Sequence, residues 1–240
     1  MRPAIQLYTL RALDDSLPDL LRRVGETAFE GVEFAGLGDS DPADVADALD
    51  DAGLEAAAAH VGIDDLEDDP GGVAETYRQL GCETLVVPYL PEADFANAKA
   101  VADTGRRLTE LAARLDEAGA NFAYHNHDHE FTELGESSGF ELLAGETDID
   151  LELDVGWADA ASHDPVDLLG RLRDRVPLVH LKDVGDGEPV ELGEGQVDAE
   201  ACVEAARDAG AEWLVYEHDE PTDPEASLHH GAETLDSLLE

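Results

Sequence analysis

Short apolar blocks, each ending in polar residues, recur along the chain with amphipathic stretches between them. Runs of about four to eight apolar residues bounded by polar and turn residues are typical of buried strands. The predicted strands are Ala4–Leu10, Gly31–Gly36, Glu55–Val61, Thr84–Leu90, Asn121–His127, Ile149–Gly156, Pro177–Asp183 and Trp213–Asp219.

The segments between these blocks carry helix start and stop signals. A short polar side chain precedes each amphipathic stretch, where it can accept the free N–H groups of the first helical turn. Gly53, Gly119 and Gly210 then close three of the stretches. The predicted helices begin after Asp41, Asn97, Asp164, Asp198 and Asp223.

Strands that alternate with helices predict parallel βα units. A doubly wound sheet of eight strands is one arrangement, but 240 residues divided into eight nearly even units fit a closed barrel better. We therefore predict an α/β fold in which residues 1–240 form a single domain, a (β/α)8 TIM barrel with parallel strands. In such barrels the chemistry lies at the carboxyl ends of the strands.

The net charge of the chain indicates the salt conditions in which the protein works. The chain has 58 acidic and 14 basic residues, which give a formal net charge of -44, while 43% of its residues are hydrophobic and can build a core. Self-repulsion of this size destabilises a compact state at low salt, and molar salt screens it. The composition predicts a protein from a halophilic organism.

The same composition bears on partners and location. Binding to nucleic acids or to anionic membranes requires clustered lysines and arginines. The only lysines of this chain are Lys99 and Lys182. We therefore expect no nucleic acid and no membrane partner. Cys82 and Cys202 do not form a disulfide framework, and the first residues lack the pattern of a leader. These features predict a cytoplasmic protein.

Polar residues cluster where the predicted strands end. Each of these residues, taken singly, can be explained by a structural role: a hydrogen bond in the core, the capping of a turn, or a charge in water at the barrel rim. Together they would place carboxylates and imidazoles in one small volume, where burial is costly unless a cation joins them. Mixed oxygen and nitrogen ligands suit Mn²⁺, Mg²⁺, Co²⁺, Fe²⁺ or Zn²⁺, so we expect one divalent metal ion. The strand-end residues are Gln6, Tyr8, Glu33, His60, His125, His127, Asp154, His180, Lys182 and Glu217.

Residues two apart on a strand share a face. His125 and His127 therefore point the same way, and Glu152 lies one layer below Asp154. A buried Glu152 needs a partner, and Lys182 on the next strand is a candidate. Lys182 either contacts a substrate oxygen or forms a salt bridge with a nearby acid such as Glu152.

A second group of residues is expected to contact substrate. Trp157 either stacks on a sugar face or plugs the barrel rim, and Glu33 meets substrate hydroxyls or pairs with Arg11. Gln196 lies in a glycine-flanked loop that could close over the site. The predicted substrate-binding residues are Gln6, Glu33, His60, Trp157 and Gln196.

Several motifs in register resemble the sugar-phosphate isomerase/epimerase family of xylose isomerase-like barrels. They are QLYTLR (6–11), YHNHDHEF (124–131), DVGWADAASHDP (154–165), HLKD (180–183), GEGQVD (193–198) and YEHDEP (216–221). The resemblance implies a metal held by Asp154, His180 and Glu217, with His125 in the place of a usual glutamate. His127 is the alternative ligand on that strand, or a proton carrier.

The resemblance implies a metal-dependent isomerase or epimerase that acts on a keto-sugar, sugar phosphate or cyclic polyol. A divalent ion would stabilise an enediolate, and a carboxylate or imidazole would move the proton. The expected catalytic residues are Glu217, His125, His127 and Lys182.

Three alternatives differ in outcome. An inosose-type dehydratase would use the same site to expel a hydroxyl group, and a non-catalytic sugar-binding barrel would hold no metal. A DNA-repair endonuclease would need more ligands and a basic face, against which the acidic composition argues. Related barrels suggest a homodimer.

Overall fold

Eight parallel strands close into a barrel, with helices on its outside. The structure is a computed structural model that describes residues 1–240. Each barrel strand overlaps one of the predicted blocks, so the predicted (β/α)8 barrel is confirmed. The barrel strands are β1 (Arg2–Gln6), β2 (Gly31–Phe34), β3 (Glu55–His60), β4 (Thr84–Val87), β5 (Asn121–His125), β6 (Asp150–Asp154), β7 (Leu178–Leu181) and β10 (Trp213–Tyr216).

The helices begin at the predicted capping residues. Each predicted cap accepts a backbone N–H of the first turn through its side chain, and Gly53 and Gly210 end their helices in the left-handed conformation. No helix is both long and apolar enough to cross a membrane. The helices are α1 (Leu17–Val24), α2 (Pro42–Ala52), α3 (Ile63–Asp68), α4 (Pro70–Arg78), α5 (Ala98–Glu117), α6 (Gly139–Glu146), α7 (Val155–Ala160), α8 (Pro165–Arg171), α9 (Ala199–Ala209) and α10 (Pro224–Leu239).

Two segments differ from the predicted pattern. The first strand ends at Gln6, because the Gln6 side chain accepts the N–H of Tyr8 and starts a 3-10 turn over Leu7–Leu10. After β7, an antiparallel hairpin of β8 (Asp183–Gly185) and β9 (Glu188–Val190) precedes α9. The pattern of apolar positions did not predict this hairpin, because its strands are short and only partly apolar.

Asp183 fixes the segment that contains the hairpin. Its buried carboxylate accepts backbone N–H groups from Val184, Gly193, Gly195 and Val197 at 2.9 to 3.0 Å. Four such bonds to one carboxylate hold both ends of the segment against the end of β7.

The barrel interior changes from apolar to polar along its axis. Ala4, Ala58, Ala123 and Val215 belong to a buried apolar cluster inside the strands. Residues two positions further along the strands, such as Gln6 and Glu217, share the same face and are polar. The site therefore lies at the carboxyl ends of the strands, above an apolar floor.

Candidate metal centre at the carboxyl ends of the strands

Four side chains from neighbouring strands converge at the carboxyl end of the barrel. His125 ends β5, Asp154 ends β6, His180 lies on β7 and Glu217 follows β10. Each offers one ligand atom, and these four atoms all lie within 4.8 Å of one another. All four residues are buried. The strand register brings them together, since Asp154 lies directly opposite His180.

The two carboxylate oxygens of Asp154 have different roles. Oδ1 accepts the N–H of Trp157 at 2.8 Å and so caps α7. The Asn126 amide bonds both the N–H and the C=O of Asp154, which fixes its backbone. Oδ2 is buried, with Lys182 Nζ 3.1 Å away and His125 Nε2 3.8 Å away. One oxygen is therefore left facing the other three side chains.

Lys182 brings the one ammonium group of the cluster. Its Nζ lies 3.1 Å from Asp154 Oδ2, 2.9 Å from Glu217 Oε2 and 2.6 Å from Asp219 Oδ2. These carboxylates outweigh burial and raise the pKa of Lys182 above its usual value. The expected pairing with Glu152 is wrong, because Lys182 follows the last residue of β7 and reaches the upper carboxylates instead.

Glu152 forms a second, deeper layer with three histidines. Its Oε2 lies 2.7 Å from His60 Nε2, 2.9 Å from His125 Nδ1 and 3.2 Å from His180 Nε2. Glu152 is fully buried, and its Oε1 has no partner. His180 and His60 oppose the effect of burial and hold the pKa of Glu152 well below its usual value.

Glu33 reaches the same layer from across the barrel. Its Oε2 accepts from the Gln6 amide at 2.8 Å and lies 2.7 Å from His180 Nε2. Burial, and next the charge of Glu152, raise the pKa of Glu33 to about 7. Burial disfavours charge on His180, but Glu152 and Glu33 raise its pKa well above the usual value.

A cavity of about 380 Å³ opens above the two layers. His125, His127 and Glu217 reach it from one side, and the exposed rings of Tyr8 and Tyr89 stand at its rim. Its volume lies at the lower end of the range for small-molecule sites. The lining residues are Tyr8, Ala35, His60, Gly62, Pro88, Tyr89, His125, His127, Glu217 and Asp219.

Only some of the predicted substrate-binding residues line the cavity in the structure. His60 lines the cavity, as expected for substrate contact. Gln6 and Glu33 are fully buried in the lower layer, bonded to each other, so the structure removes them from the reach of a bound molecule. Glu33 pairs with Gln6 and the histidines rather than with Arg11, which donates to the C=O of Tyr8.

Two other predicted residues lie outside the cavity. Trp157 stacks behind His127, with ring centroids 5.9 Å apart, and Lys182 Nζ lies 4.8 Å from the Trp157 ring. It therefore supports the site rather than forming its wall. Gln196 bonds Asp159 at 2.7 Å and lines a separate surface groove beside α8.

The structure adds two residues that the sequence did not single out. Asp219 pairs with Lys182 and lines the cavity, and Tyr89 packs against His127 with centroids 5.3 Å apart. Asp219 follows Glu217 by two positions and Tyr89 lies near the end of the fourth block, so the strand-end rule was the available signal for both.

The donor set fits a divalent cation. Glu33, Glu152, Asp154, Glu217 and Asp219 bring five carboxylates to this region, whereas Lys182 brings the single ammonium. Two imidazole nitrogens and two carboxylate oxygens suit Mn²⁺, Fe²⁺, Co²⁺ or Zn²⁺. Asp154 Oδ2 is buried and its nearest cation is the Lys182 ammonium at 3.1 Å, so it could also serve as a metal ligand.

Comparison with known proteins places this site in a family. The model of the xylose isomerase-like TIM barrel family matches residues 19–238. The chain belongs to this family. The resemblance of its motifs to sugar isomerases and epimerases is thereby confirmed at the level of the family.

Curated relatives of the family match over part of their length. Inosose dehydratase of Geobacillus kaustophilus is 27% identical over 190 residues, which cover 69% of this chain and 61% of the relative. The rhizopine catabolism protein MocC of Rhizobium meliloti is 35% identical over 80 residues, which cover 33% of this chain and 25% of the relative. The chain thus spans less than two thirds of each.

Solved structures share the fold over nearly the whole chain. A sugar phosphate isomerase/epimerase from Parabacteroides distasonis superposes with a TM-score of 0.85 at 21% identity, covering 98% of this chain and 94% of its own. The probable 3-DHS dehydratase AsbF of Bacillus anthracis gives 0.80 at 16% identity, covering 98% and 99%. At these identities the likeness concerns the fold. Several of these relatives and neighbours are described as isomerases, epimerases or dehydratases.

Proposed function

We propose that the protein is a divalent-metal-dependent isomerase or epimerase of a small keto-sugar, sugar phosphate or cyclic polyol. The observation that carries this proposal is the convergence of His125, Asp154, His180 and Glu217 beneath an open cavity. Three carboxylates, those of Asp154, Glu217 and Asp219, meet one ammonium there, so a dication would balance the charge that Lys182 leaves unpaired. The small cavity suits a carbohydrate of one ring.

His125, Asp154, His180 and Glu217 would hold the ion. When bound, it supplies Lewis-acid stabilisation of negative charge on substrate oxygens. His127 lines the cavity beside this group and belongs to neither set of metal-ligand candidates. We therefore assign the strand-5 ligand to His125 and leave His127 free to act on substrate.

Proton transfer falls to groups that face the cavity. Burial, and next His125 and Lys182, lower the pKa of His127 to about 2, so its ring is neutral. Its Nδ1 is buried without a partner, so proton exchange with a substrate in the cavity falls to the other ring nitrogen, Nε2. Lys182 does not line the cavity; it is held charged by its carboxylates and acts on the site through Glu217 and Asp219, which do line it. A single base on one side suits isomerisation between neighbouring carbons.

Dehydration is the second candidate outcome. The curated relative with the longer match is an inosose dehydratase. In this reaction the same base removes the proton, and a hydroxyl group on the neighbouring carbon leaves with a proton. Lys182 Nζ lies 2.9 Å from Glu217 Oε2, so the two could deliver that proton together. An isomerase conserves the mass of its substrate, whereas a dehydratase releases water.

Metal content tests the proposed site. Protein purified and dialysed in about 2 M KCl, where surface charge is screened, should hold near one equivalent of a divalent ion by mass spectrometry. Asp154→Ala and Glu217→Ala should lose the ion while circular dichroism shows a retained fold. Asp103→Ala, an exposed change on α5, should keep it.

The outcomes separate the candidate functions. Retained metal in both site variants would contradict the assigned ligands. A folded wild type that binds no Mn²⁺, Co²⁺ or Zn²⁺ would favour a non-catalytic binding barrel. With metal confirmed, keto-sugars and inososes are screened by the mass of the product, which distinguishes isomerisation from loss of water.

A further inference from the structure

Three imidazole nitrogens converge on one oxygen of Glu152. His60 Nε2, His125 Nδ1 and His180 Nε2 lie 2.7, 2.9 and 3.2 Å from Oε2. The first two distances are those of hydrogen bonds, and a carboxylate only accepts such bonds. Each nitrogen that bonds Glu152 therefore carries a proton.

Two of these rings connect the lower layer to the upper one. His125 turns Nδ1 down to Glu152 and Nε2 up toward Asp154, 3.8 Å from Oδ2. His180 turns Nε2 down to Glu33 and Glu152, and Nδ1 up to Glu217 at 3.0 Å. On His125, the proton on Nδ1 leaves Nε2 available to a metal ion. On His180 both nitrogens lie at hydrogen-bond distance from a carboxylate, so both carry protons, and Nδ1 gives up its proton when it binds an ion while Nε2 keeps its own.

The lower layer is itself a possible ion position, because His60, His125, Glu152 and His180 also offer ligand atoms within 4.8 Å of one another. Ions in both layers at once would require His125 and His180 to give up both ring protons. Each set has two members on the cavity, so the choice rests on hydrogen bonds. The lower nitrogens already bond Glu152 and Glu33, whereas His125 Nε2 above lies 3.8 Å from Asp154 Oδ2, which favours protons below and the ion above.

We infer that Glu152 is a positioning residue for the metal centre: it holds the Nδ1 proton of His125 and, together with Glu33, the Nε2 proton of His180, so that His125 Nε2 and His180 Nδ1 face the ion. The inference rests on the proposed metal-dependent function. Mutation of a carboxylate that orients a histidine ligand, without itself binding the metal, typically weakens metal affinity about 10- to 100-fold.

The first test is the protonation of the histidine rings in the wild type. Two-bond ¹H–¹⁵N spectra of ¹⁵N-histidine-labelled protein in about 2 M KCl report the tautomer of each ring, and His125→Gln and His180→Gln assign the signals. We expect a proton on Nδ1 of His125 and on Nε2 of His180. An unprotonated Nδ1 at His125 would overturn the inference, whether or not the protein binds metal.

The second test is Co²⁺ titration of Glu152→Gln, followed by calorimetry and by the visible spectrum of the bound ion. We expect a stoichiometry near one, an affinity about 10- to 100-fold weaker than in the wild type, and a mixture of His125 tautomers. Glu130→Gln is the matched control: it also removes a buried carboxylate, but one bonded to Tyr124 rather than to an imidazole, and its affinity should be unchanged.

Other outcomes contradict the inference in distinct ways. Unchanged affinity and tautomers in Glu152→Gln would give Glu152 no positioning role. If Glu152→Gln and His60→Gln abolish binding while Asp154→Asn keeps it, the ion lies in the lower layer. A wild type with the expected tautomers but no metal binding refutes the proposed function and leaves the tautomer control by Glu152 in place.

Discussion

At the scale of single residues, His127 is placed to take part in proton transfer without binding the metal ion. Its Nδ1 is buried without a partner, and its ring lines the cavity between Tyr89 and Trp157. Neither four-residue set of ligand atoms includes it. Loss of its ring should therefore affect turnover and leave the metal in place.

For His127→Gln we predict a fall in kcat of about 10²- to 10⁴-fold, the usual contribution of a general base. The metal content should stay near one equivalent, because the ligand atoms are untouched. Steady-state kinetics on the substrate found by the mass screen, with metal analysis of the same sample, provide the measurement. Loss of the ion along with activity would instead make His127 a ligand.

Glu130 is a buried carboxylate outside the site. Tyr124 donates its hydroxyl to Oε1 at 2.5 Å, while Oε2 has no partner. Burial raises the pKa of Glu130 well above its ordinary value of 4.5. The folded protein therefore keeps the proton to higher pH than the unfolded chain, and the free energy of unfolding falls as pH rises above about 4.5.

Glu130→Gln should remove this dependence, since an amide does not ionise. We predict that the variant and the wild type unfold at similar temperatures near pH 4, and that the variant is the more stable near pH 7. Thermal unfolding in molar KCl at the two pH values measures the difference. Glu117→Gln, exposed at the end of α5, controls for the loss of one surface charge. A Glu130→Gln variant less stable than the wild type at both values would contradict the prediction.

At the scale of elements, α10 packs closely against β10. Gly231 on α10 lies against the ring of Tyr216 on β10, where an added Cβ would overlap ring carbons. The same ring bonds Ser227 and Glu191 through its hydroxyl. The last helix therefore depends on a glycine to approach the last strand.

Gly231→Ala should lower the free energy of unfolding by about 1–3 kcal/mol, the usual cost of overpacking a core. Gly170→Ala on α8 is the matched control, because its Cβ meets open space. That change should raise stability by up to about 1 kcal/mol through helix propensity. Urea denaturation of both variants at one salt concentration provides the comparison. Equal stabilities would show that α10 shifts to accept the methyl group.

At the scale of the whole molecule, net charge governs the conditions for folding. The formal charge of -44 on 240 residues destabilises the folded state through repulsion among all the acidic groups, and no single ion pair offsets this repulsion. The Debye length falls from about 10 Å at 0.1 M salt to about 3 Å at 1 M. Most of this repulsion should therefore disappear in molar salt.

We predict that the unfolding temperature rises steadily between about 0.1 M and 2 M KCl. NaCl should give a similar rise, because screening depends on ionic strength rather than on the cation. Circular dichroism at each salt concentration measures the midpoint. A midpoint that does not change across this range would contradict the halophilic interpretation.

The sequence by itself determined the architecture. Apolar blocks and capping residues such as Asp41, Asn97 and Asp223 are local signals, because burial of a strand and satisfaction of a helix end depend on nearby residues. The rule that barrel strands carry chemistry at their carboxyl ends then selected His125, Asp154, His180 and Glu217 for the site.

Only the tertiary structure decided which polar groups meet. Lys182 pairs with Asp219 instead of Glu152, and Glu33 crosses the barrel to reach His180. These contacts join strands that are far apart in the chain, and the stagger between strands sets the layer in which each side chain lies. The alternation of side chains along a strand tells which face of the sheet a residue is on, but not how deep in the barrel it lies. The deep position of Gln6 and the convergence of three histidines on Glu152 therefore depend on how the barrel closes.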